Sequence, residues 1–239
     1  MQRLLRPLQN RLLASLPPAD LGLVAPHLIP VELERGRLLY DPGDRIDTIY
    51  FPHDGVISLM TLMENGAAIE SATIGRDGAL GLMAAVAPRQ SLSRAIVQTP
   101  CRASRISAGQ LHEAWEKSPR IRELIDNHNE ALFGHAIQSV ACNALHSVEA
   151  RFCRWLLTCH DRISSDTIAL TQEFLADMLG VQRTTVTAVA RALQEKGYIR
   201  YRRGVVDIID RAGIEAMTCE CYGAIHRTYE RLLPQQRPE

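Results

Sequence analysis

Residues 170–193 read LTQEFLADMLGVQRTTVTAVARAL, and this stretch decides the fold of the C-terminal part of the chain. Thr171 is a good helix N-cap, which predicts a first helix over residues 172–179. Gly180 supplies a turn, and the apolar spacing after it predicts a second helix over about residues 183–196. Two short helices joined in this way form a helix-turn-helix.

The outward face of the second helix is the candidate DNA-reading surface. In helix-turn-helix proteins, the N-terminal part of this helix enters the major groove of double-stranded DNA. An arginine there can donate two hydrogen bonds to O6 and N7 of guanine, so Arg183 is the candidate for base reading. The candidate DNA contacts of this helix are Arg183, Thr184, Thr185, Thr187, Ala188 and Arg191.

A basic β-hairpin is expected directly after this helix. Residues 198–209, YIRYRRGVVDII, read as two strands around Arg203-Gly204, and such a wing can bring Arg202 and Arg203 to DNA phosphates. Residues 180–205 contain six arginines and lysines against one glutamate, although the whole chain has 27 basic and 27 acidic residues. This local positive charge, together with the turn and the wing, predicts binding to double-stranded DNA.

The N-terminal part of the chain has a different pattern. Residues 31–107 are short β-like runs separated by glycine turns, including the hairpin signal Glu64-Asn65-Gly66, and they predict an antiparallel sandwich, barrel or roll. Residues 4–27 read as short capping helices. The sequence therefore predicts an α+β chain with an N-terminal antiparallel β-roll of the jelly-roll kind, a long dimerisation helix and a C-terminal winged helix-turn-helix.

The long helix is expected to begin at Ser118-Pro119, because proline favours the first position of a helix. Read in sevens, the following residues form a seam that two parallel helices of a dimer could share. The hinge to the DNA-binding part is expected near residues 143–146. The candidate dimer seam consists of Ile121, Ile125, His128, Leu132, His135 and Ser139.

Polar residues in this seam have two interpretations. His128, His135 and Cys142 recur every seven residues, so they could bind a metal, haem or a proton at a two-fold axis. Polar seam residues more often set the register of a dimer, and we favour that interpretation.

The six cysteines include no CxxC pair, and thiols are expected in a reducing cytosol. Cys219-Glu220-Cys221 with His226 could form a redox or metal site on the last helix. This spacing matches none of the strong zinc patterns, so half-buried thiols are favoured and no metal site is predicted.

The length of 239 residues fits two domains with separate cores. We expect a sensor β-roll with its helical cap at residues 1–118, the dimerisation helix and hinge at 119–145, and the DNA-binding domain at 146–239. No apolar run approaches the roughly 20 residues of a membrane span, and the N-terminus lacks a secretory signal, so a cytoplasmic location is expected.

Catalytic motifs are not found in the sequence. It contains no P-loop, nucleophile elbow, HExxH or dinucleotide fingerprint, so no enzyme is expected. The alternative function is a signalling module that uses the β-roll to regulate a protein partner without binding DNA. The wing arginines discriminate between the two, because phosphate contacts make DNA binding salt-dependent.

Short motifs in both parts of the chain match one known family. In the β-rich part they are Gly36-x-x-Leu39, Pro42-Gly43-Asp44, Ile49-Tyr50-Phe51 and Gly55, and in the C-terminal part they are Ser147-Val148-Glu149-Ala150-Arg151-Phe152 and residues 170–199. Together they resemble the Crp/Fnr superfamily of bacterial regulators, with its cyclic-nucleotide-binding β-roll. The resemblance implies a homodimer joined by the long helix, a two-fold-symmetric operator and contact with RNA polymerase.

The nucleotide-binding positions of that family are changed here. Its Gly-Glu-Leu, whose glutamate holds ribose, reads Gly78-Ala79-Leu80, and its Arg-Ser-Ala, whose arginine holds phosphate, reads Ser93-Arg94-Ala95. A shift by one position in a strand turns the arginine to the opposite face, and the positions that touch adenine read Ala136-Ile137. Binding of cyclic AMP by the usual contacts is therefore not expected, and the effector is unknown. The tentative effector pocket consists of Gly78, Ala79, Leu80, Ser93, Arg94, Ala95, Ala136 and Ile137.

Three further expectations follow from the resemblance. The oxygen-sensing branch holds an iron–sulfur cluster with N-terminal cysteines, but no cysteine here precedes Cys101, so such a cluster is not expected. Arg183 matches the family's guanine-reading arginine, whereas Thr184 and Ala188 replace its other reading residues, so the half-site should differ from TGTGA. Arg94 either binds an acidic effector or lies on a solvated face, and both alternatives stay open.

Overall fold

The structure is a computed structural model that describes residues 9–233. The chain begins with two short helices, and residues 4–8 of the predicted helical cap lie outside the described residues. Asn10 caps the first helix and donates a hydrogen bond from Nδ2 to the carbonyl of Gly78 at 2.8 Å, which fastens the cap to the sheets that follow. The two helices are α1 (Arg11–Ser15) and α2 (Pro18–Val24).

Antiparallel strands in two sheets form the next unit, which confirms the predicted β-roll. The strands are β1 (Ile29–Leu33), β2 (Leu38–Tyr40), β3 (Thr48–Asp54), β4 (Ile57–Leu62), β5 (Ala68–Ile74), β6 (Arg94–Val97) and β7 (Cys101–Ser107). One sheet has the order β1-β7-β3 and the other has the order β2-β6-β4-β5. Alternate residues of β6 point in opposite directions, so Ala95 and Val97 are buried in the core of the roll while Arg94 is not.

The long helix α4 (Pro119–Leu145) follows the shorter helix α3 (Ala108–Lys117). Ser118 caps α4 by accepting a hydrogen bond from the amide of Ile121 at 3.0 Å, and Pro119 occupies the first position, so the predicted start is confirmed. Across residues 9–233, no helix combines the length and the apolar character that a membrane crossing requires.

The face of α4 that carries the predicted dimer seam packs against its own chain. Leu132 packs against the core of the roll, and the other five seam residues are buried. The large apolar side chains that α4 leaves exposed are Phe133, Ile137 and Val140, with exposed fractions of 68%, 55% and 71%, and Leu145 at its end, with 80%. The five buried seam residues are Ile121, Ile125, His128, His135 and Ser139.

The C-terminal part is the predicted winged helix-turn-helix. Its elements are α5 (Val148–His160), β8 (Thr167–Ala169), α6 (Gln172–Leu179), α7 (Arg183–Glu195), β9 (Ile199–Arg202), β10 (Val205–Ile208), α8 (Arg211–Met217) and α9 (Cys221–Leu232). The three strands form one sheet in the order β8-β10-β9. Helix α9 packs along α4 and buries Ala131 between Ile225 and Tyr229.

The C-terminal part is docked on the roll of the same chain. Val56 and Met60 of the roll belong to the same apolar cluster as the core of the winged helix-turn-helix. Trp155 donates from Nε1 to the buried carboxyl of Glu70 at 3.0 Å, and burial raises the pKa of Glu70 to about 7. Arg162 forms a buried ion pair with Asp77 of the roll at 2.9 Å. An apolar cluster, a hydrogen bond and an ion pair therefore join the roll directly to the C-terminal part.

Candidate DNA-binding interface

Local signals in the sequence build the helix-turn-helix. The side chain of Thr171 accepts a hydrogen bond from the amide of Phe174 at 3.2 Å and so caps α6. Gly180 ends α6 with a φ of 61°, in the left-handed region that glycine adopts readily. Val186 and Leu193 bury the inner face of α7 in the core. The predicted bounds of the first helix are confirmed, and the second ends at Glu195.

The outer face of α7 carries the residues predicted to contact DNA. All six are exposed except Thr185, which is half-buried. The guanidinium of Arg183 makes no hydrogen bond or ion pair with another residue of the described part of the chain. By contrast, Arg191 is paired with Glu195 at 2.8 Å, and the hydroxyl of Thr187 lies 3.0 Å from Oε1 of Gln172. Arg183 is therefore the side chain of this face that is most available to a base.

The wing forms as predicted from Arg203-Gly204. Their φ angles of 51° and 75° are both positive, as a two-residue turn between antiparallel strands requires. Leu170 holds the wing against the start of α6, since its amide donates to the carbonyl of Gly204 at 2.7 Å. Arg183, Arg202 and Arg203 thus line one cleft between α6, α7 and the wing.

Gln172 and Tyr201 also line this cleft, although the sequence indicated neither of them as a DNA contact. Gln172 lines it beside Arg183, at the first position of α6. The sequence placed Gln172 only as a helix start, and the family's usual base contacts gave no reason to single it out. Its proximity to the cleft depends on the crossing of α6 and α7, which no local pattern records.

Comparison with known protein families decides the identity of the chain. The model of the Crp-like helix-turn-helix domain matches residues 150–217, and that of the cyclic nucleotide-binding domain matches residues 30–118. The chain belongs to the Crp/Fnr family of DNA-binding transcriptional regulators. The regulator therefore has a DNA-binding domain, which rules against the alternative of a β-roll module that acts without binding DNA.

Individual relatives agree with this assignment. The global nitrogen regulator of Nostoc sp. is 22% identical over 185 residues, which cover 73% of this chain and 82% of that protein. The structure of FixK2 from Bradyrhizobium japonicum matches with a TM-score of 0.69 and 14% identity, over 80% of this chain and 98% of that one. A Crp/Fnr-family transcriptional regulator from Thermus thermophilus matches with a TM-score of 0.62 and 20% identity, over 79% and 97%. The relatives with a stated role are regulators, not enzymes.

Removing the two wing arginines is expected to weaken binding of the regulator to DNA of any sequence. Arg202→Ala combined with Arg203→Asn removes the two arginines that are predicted to contact phosphates in each protomer, and asparagine tolerates the positive φ of 51° at position 203. The slope of log affinity against log salt concentration should then fall by about 2 for each half-site, or by about 4 for a dimer on its full operator. Anisotropy titrations over a salt series measure the slope, with Arg202→Lys as the charge-preserving control. If the slope is unchanged, the wing does not reach the phosphates.

The eight tentative effector positions have different environments in the structure. Gly78, Ala79 and Leu80 are buried, and the amide of Ala79 donates to Nε2 of His128 at 3.1 Å. Burial lowers the pKa of His128 to about 4, so the ring is neutral near pH 7 and can accept this hydrogen bond. His128 of α4 is thus hydrogen-bonded to the loop that corresponds to the family's phosphate-binding cassette.

The other effector positions lie elsewhere. Ser93 and Arg94 are half-buried, and Arg94 forms an ion pair with Asp41 at 2.6 Å. Ala95 is buried in the core of the roll, as expected for the opposite face of β6. Ala136 is half-buried and Ile137 is exposed. Arg94 therefore already has a carboxylate partner, which neither of the two alternatives for this residue anticipated.

The histidines and cysteines are also grouped differently from the sequence expectation. His135 is buried against the ring of Tyr229, and burial lowers its pKa to about 3. The group of possible metal ligands joins Cys142 to His146, Cys219 and Cys221, and it contains neither His128 nor His135. His226 lies 3.8 Å from Glu230 and is not part of that group.

Proposed function

We propose that the regulator binds a two-fold-symmetric operator as a homodimer in the cytoplasm, and that Arg183 of each protomer reads a guanine in one half-site. The observation that carries this proposal is the free guanidinium of Arg183, exposed at the start of the recognition helix in the same cleft as Arg202 and Arg203. Bidentate base reading and phosphate contact need this arrangement. Contact with RNA polymerase follows from the family and completes the proposal.

The exposed stripe of α4 is the dimer face in this proposal. Phe133, Ile137 and Val140 are spaced by four and three residues, which places them on one side of a helix, and all three are more than half exposed. A contiguous apolar surface of this kind indicates an interaction site. In a parallel pair of α4 helices, this exposed stripe would form the dimer seam. The sequence had predicted the seam on the opposite face of α4, which is buried.

Signal transfer is proposed to run from the roll to the DNA-binding domain. We assign sensing to residues 1–118, dimerisation and the hinge to 119–145, and DNA binding to 146–239. The buried contacts of Trp155 with Glu70 and of Arg162 with Asp77 join the first and last of these directly. An effector that alters the roll would shift the balance between two docked geometries. The hydrogen-bonded loop at Ala79 and the pairing of Arg94 favour an effector other than cyclic AMP bound by the usual contacts.

An operator selection tests this function. The purified regulator is incubated with random duplexes, and the bound pool is sequenced. We expect an enriched palindrome with half-sites about one helical turn apart, each with a guanine at one fixed position. Failure of enrichment in the absence of ligand, with cyclic nucleotides and with cell extract alike would contradict the proposal.

A further inference from the structure

Four side chains that can bind a metal meet where α4 ends and α9 begins. Their ligand atoms all lie within 4.8 Å of one another. Sγ of Cys142 is 3.5 Å from Sγ of Cys219, and Sγ of Cys221 is 3.5 Å from Nδ1 of His146. We call this group the Cys3His cluster, and it consists of Cys142, His146, Cys219 and Cys221.

We propose that the Cys3His cluster binds one Zn²⁺ ion. Three cysteines and one histidine are a common ligand set of tetrahedral structural zinc sites. Bonds of about 2.3 Å to sulfur and about 2.0–2.1 Å to nitrogen place tetrahedral ligands roughly 3.6–3.8 Å apart. The two distances of 3.5 Å are close to these values, and all four ligand atoms lie within 4.8 Å of one another, so side-chain movements alone can bring the four into contact with one ion.

The surroundings of His146 support a metal site independently of the distances. Nδ1 of His146 faces the cluster, while Nε2 lies 3.2 Å from Oε2 of Glu220. Histidines that bind metals usually donate their other ring N–H to a carboxylate or carbonyl, which fixes the ring and its tautomer. Glu220 also lies between two of the cysteines in sequence, so the same turn supplies two sulfurs and the carboxylate.

The charges around the cluster suit a bound ion. Three thiolates and one Zn²⁺ carry a net charge of −1, which is costly to bury without a cation nearby. Arg151 and Arg154 are buried on α5, the helix that follows His146, and Nε of each lacks a hydrogen-bond partner among the described residues. Arg151 interacts electrostatically with Cys142 and Cys219, and Arg154 with Cys142. These guanidiniums offset the excess negative charge.

A disulfide between Cys142 and Cys219 explains less of this arrangement. It would use two of the four ligands, and it would leave the third sulfur and the His146–Glu220 pair without a role. The metal uses all four. It joins the end of the dimerisation helix to the start of α9 across the hinge, so it should hold α9 against α4 and stabilise the folded chain. This inference does not depend on DNA binding.

Titration of the reduced, metal-free full chain with Co²⁺ tests the proposal. Co²⁺ takes tetrahedral zinc sites, and we expect thiolate-to-cobalt charge transfer and strong d–d absorption that saturate at one ion per chain and disappear on addition of Zn²⁺. Zinc should also raise the thermal unfolding midpoint of the chain. Cys219→Ser and Cys221→Ser should remove both responses, whereas Cys101→Ala, which removes a buried thiol of the roll, should keep them.

A variant outside the ligand set guards against misfolding as the explanation. Glu220→Gln changes a side chain that is 76% exposed, and it should weaken Co²⁺ binding by about 10- to 100-fold because the ring of His146 loses its carboxylate partner. Glu215→Gln, on the neighbouring helix α8, should leave the affinity unchanged. The proposal is overturned if the wild-type chain gives no tetrahedral cobalt spectrum, if Cys219→Ser binds as tightly as wild type, or if oxidation closes a Cys142–Cys219 disulfide in a protein that binds no metal.

Discussion

Ile137→Glu is expected to separate the dimer and to reduce operator affinity more than any other single change on the surface of α4. Ile137 is the central residue of the exposed stripe, and in a two-fold pair of α4 helices its side chain lies near its own copy. Two carboxylates would then face each other in an apolar seam, at a cost of about 3–5 kcal/mol, or on the order of 10²–10⁴-fold in the dimer dissociation constant. Sedimentation velocity should show monomers at concentrations at which the wild type is dimeric.

Leu92→Glu is the matched control for this substitution. Leu92 is 95% exposed on the roll and is not part of the exposed stripe of α4, so the same change of an apolar side chain to a carboxylate should leave the dimer intact. Operator affinity should depend on the dimer, because a single protomer contacts only one half-site. Ile137→Glu should therefore lower operator affinity strongly, whereas Leu92→Glu should leave it unchanged. A dimeric Ile137→Glu protein would move the dimer face away from this stripe.

Arg183→Ala is expected to remove sequence discrimination at one base pair of each half-site. Bidentate contact between arginine and guanine contributes about 1–3 kcal/mol of discrimination per site, so affinity for the selected operator should fall by about 10- to 100-fold per half-site. Affinity for unrelated duplexes should change little, because the wing arginines still attract phosphates. Competition titrations with operators substituted at each position measure the effect.

Two further variants separate charge from geometry at this position. Arg183→Lys keeps the positive charge but lacks the planar fork of donors, so it should keep non-specific binding and lose much of the discrimination. Arg191→Ala removes another exposed arginine of α7 that is already paired with Glu195, and a smaller effect is expected. Equal preference for the guanine in wild type and Arg183→Ala would exclude Arg183 as the reader of that base.

Local signals were sufficient to predict the DNA-binding end. The cap at Thr171, the left-handed glycine at position 180 and the turn at Arg203-Gly204 each act within a few residues. Such signals depend on hydrogen bonds and backbone angles close along the chain, so the sequence contains all the information they need. The same holds for the exposure of Arg183, which follows from the helical period of its buried neighbours.

Local signals are not sufficient to predict which face of α4 is available for a dimer. Helix α4 has a stripe from Ile121 to Ser139 and a second stripe from Phe133 to Val140, and both have the four-and-three spacing of a coiled-coil seam. Periodicity identifies the stripes but cannot say which of them the rest of the chain covers. The roll and α9 cover the first stripe, and these contacts are distant in sequence.

The β-roll, the long helix, the winged helix-turn-helix and the exposed position of Arg183 all follow from patterns within one segment of the sequence. By contrast, the members of the Cys3His cluster depend on the tertiary structure. It places Cys142 beside Cys219, which lies 77 residues further along the chain, and the histidine of the cluster is His146 and not His226. Helical spacing relates Cys142 to His146 alone. The remaining distances depend on how α9 packs against α4, and that packing is a property of the whole folded chain.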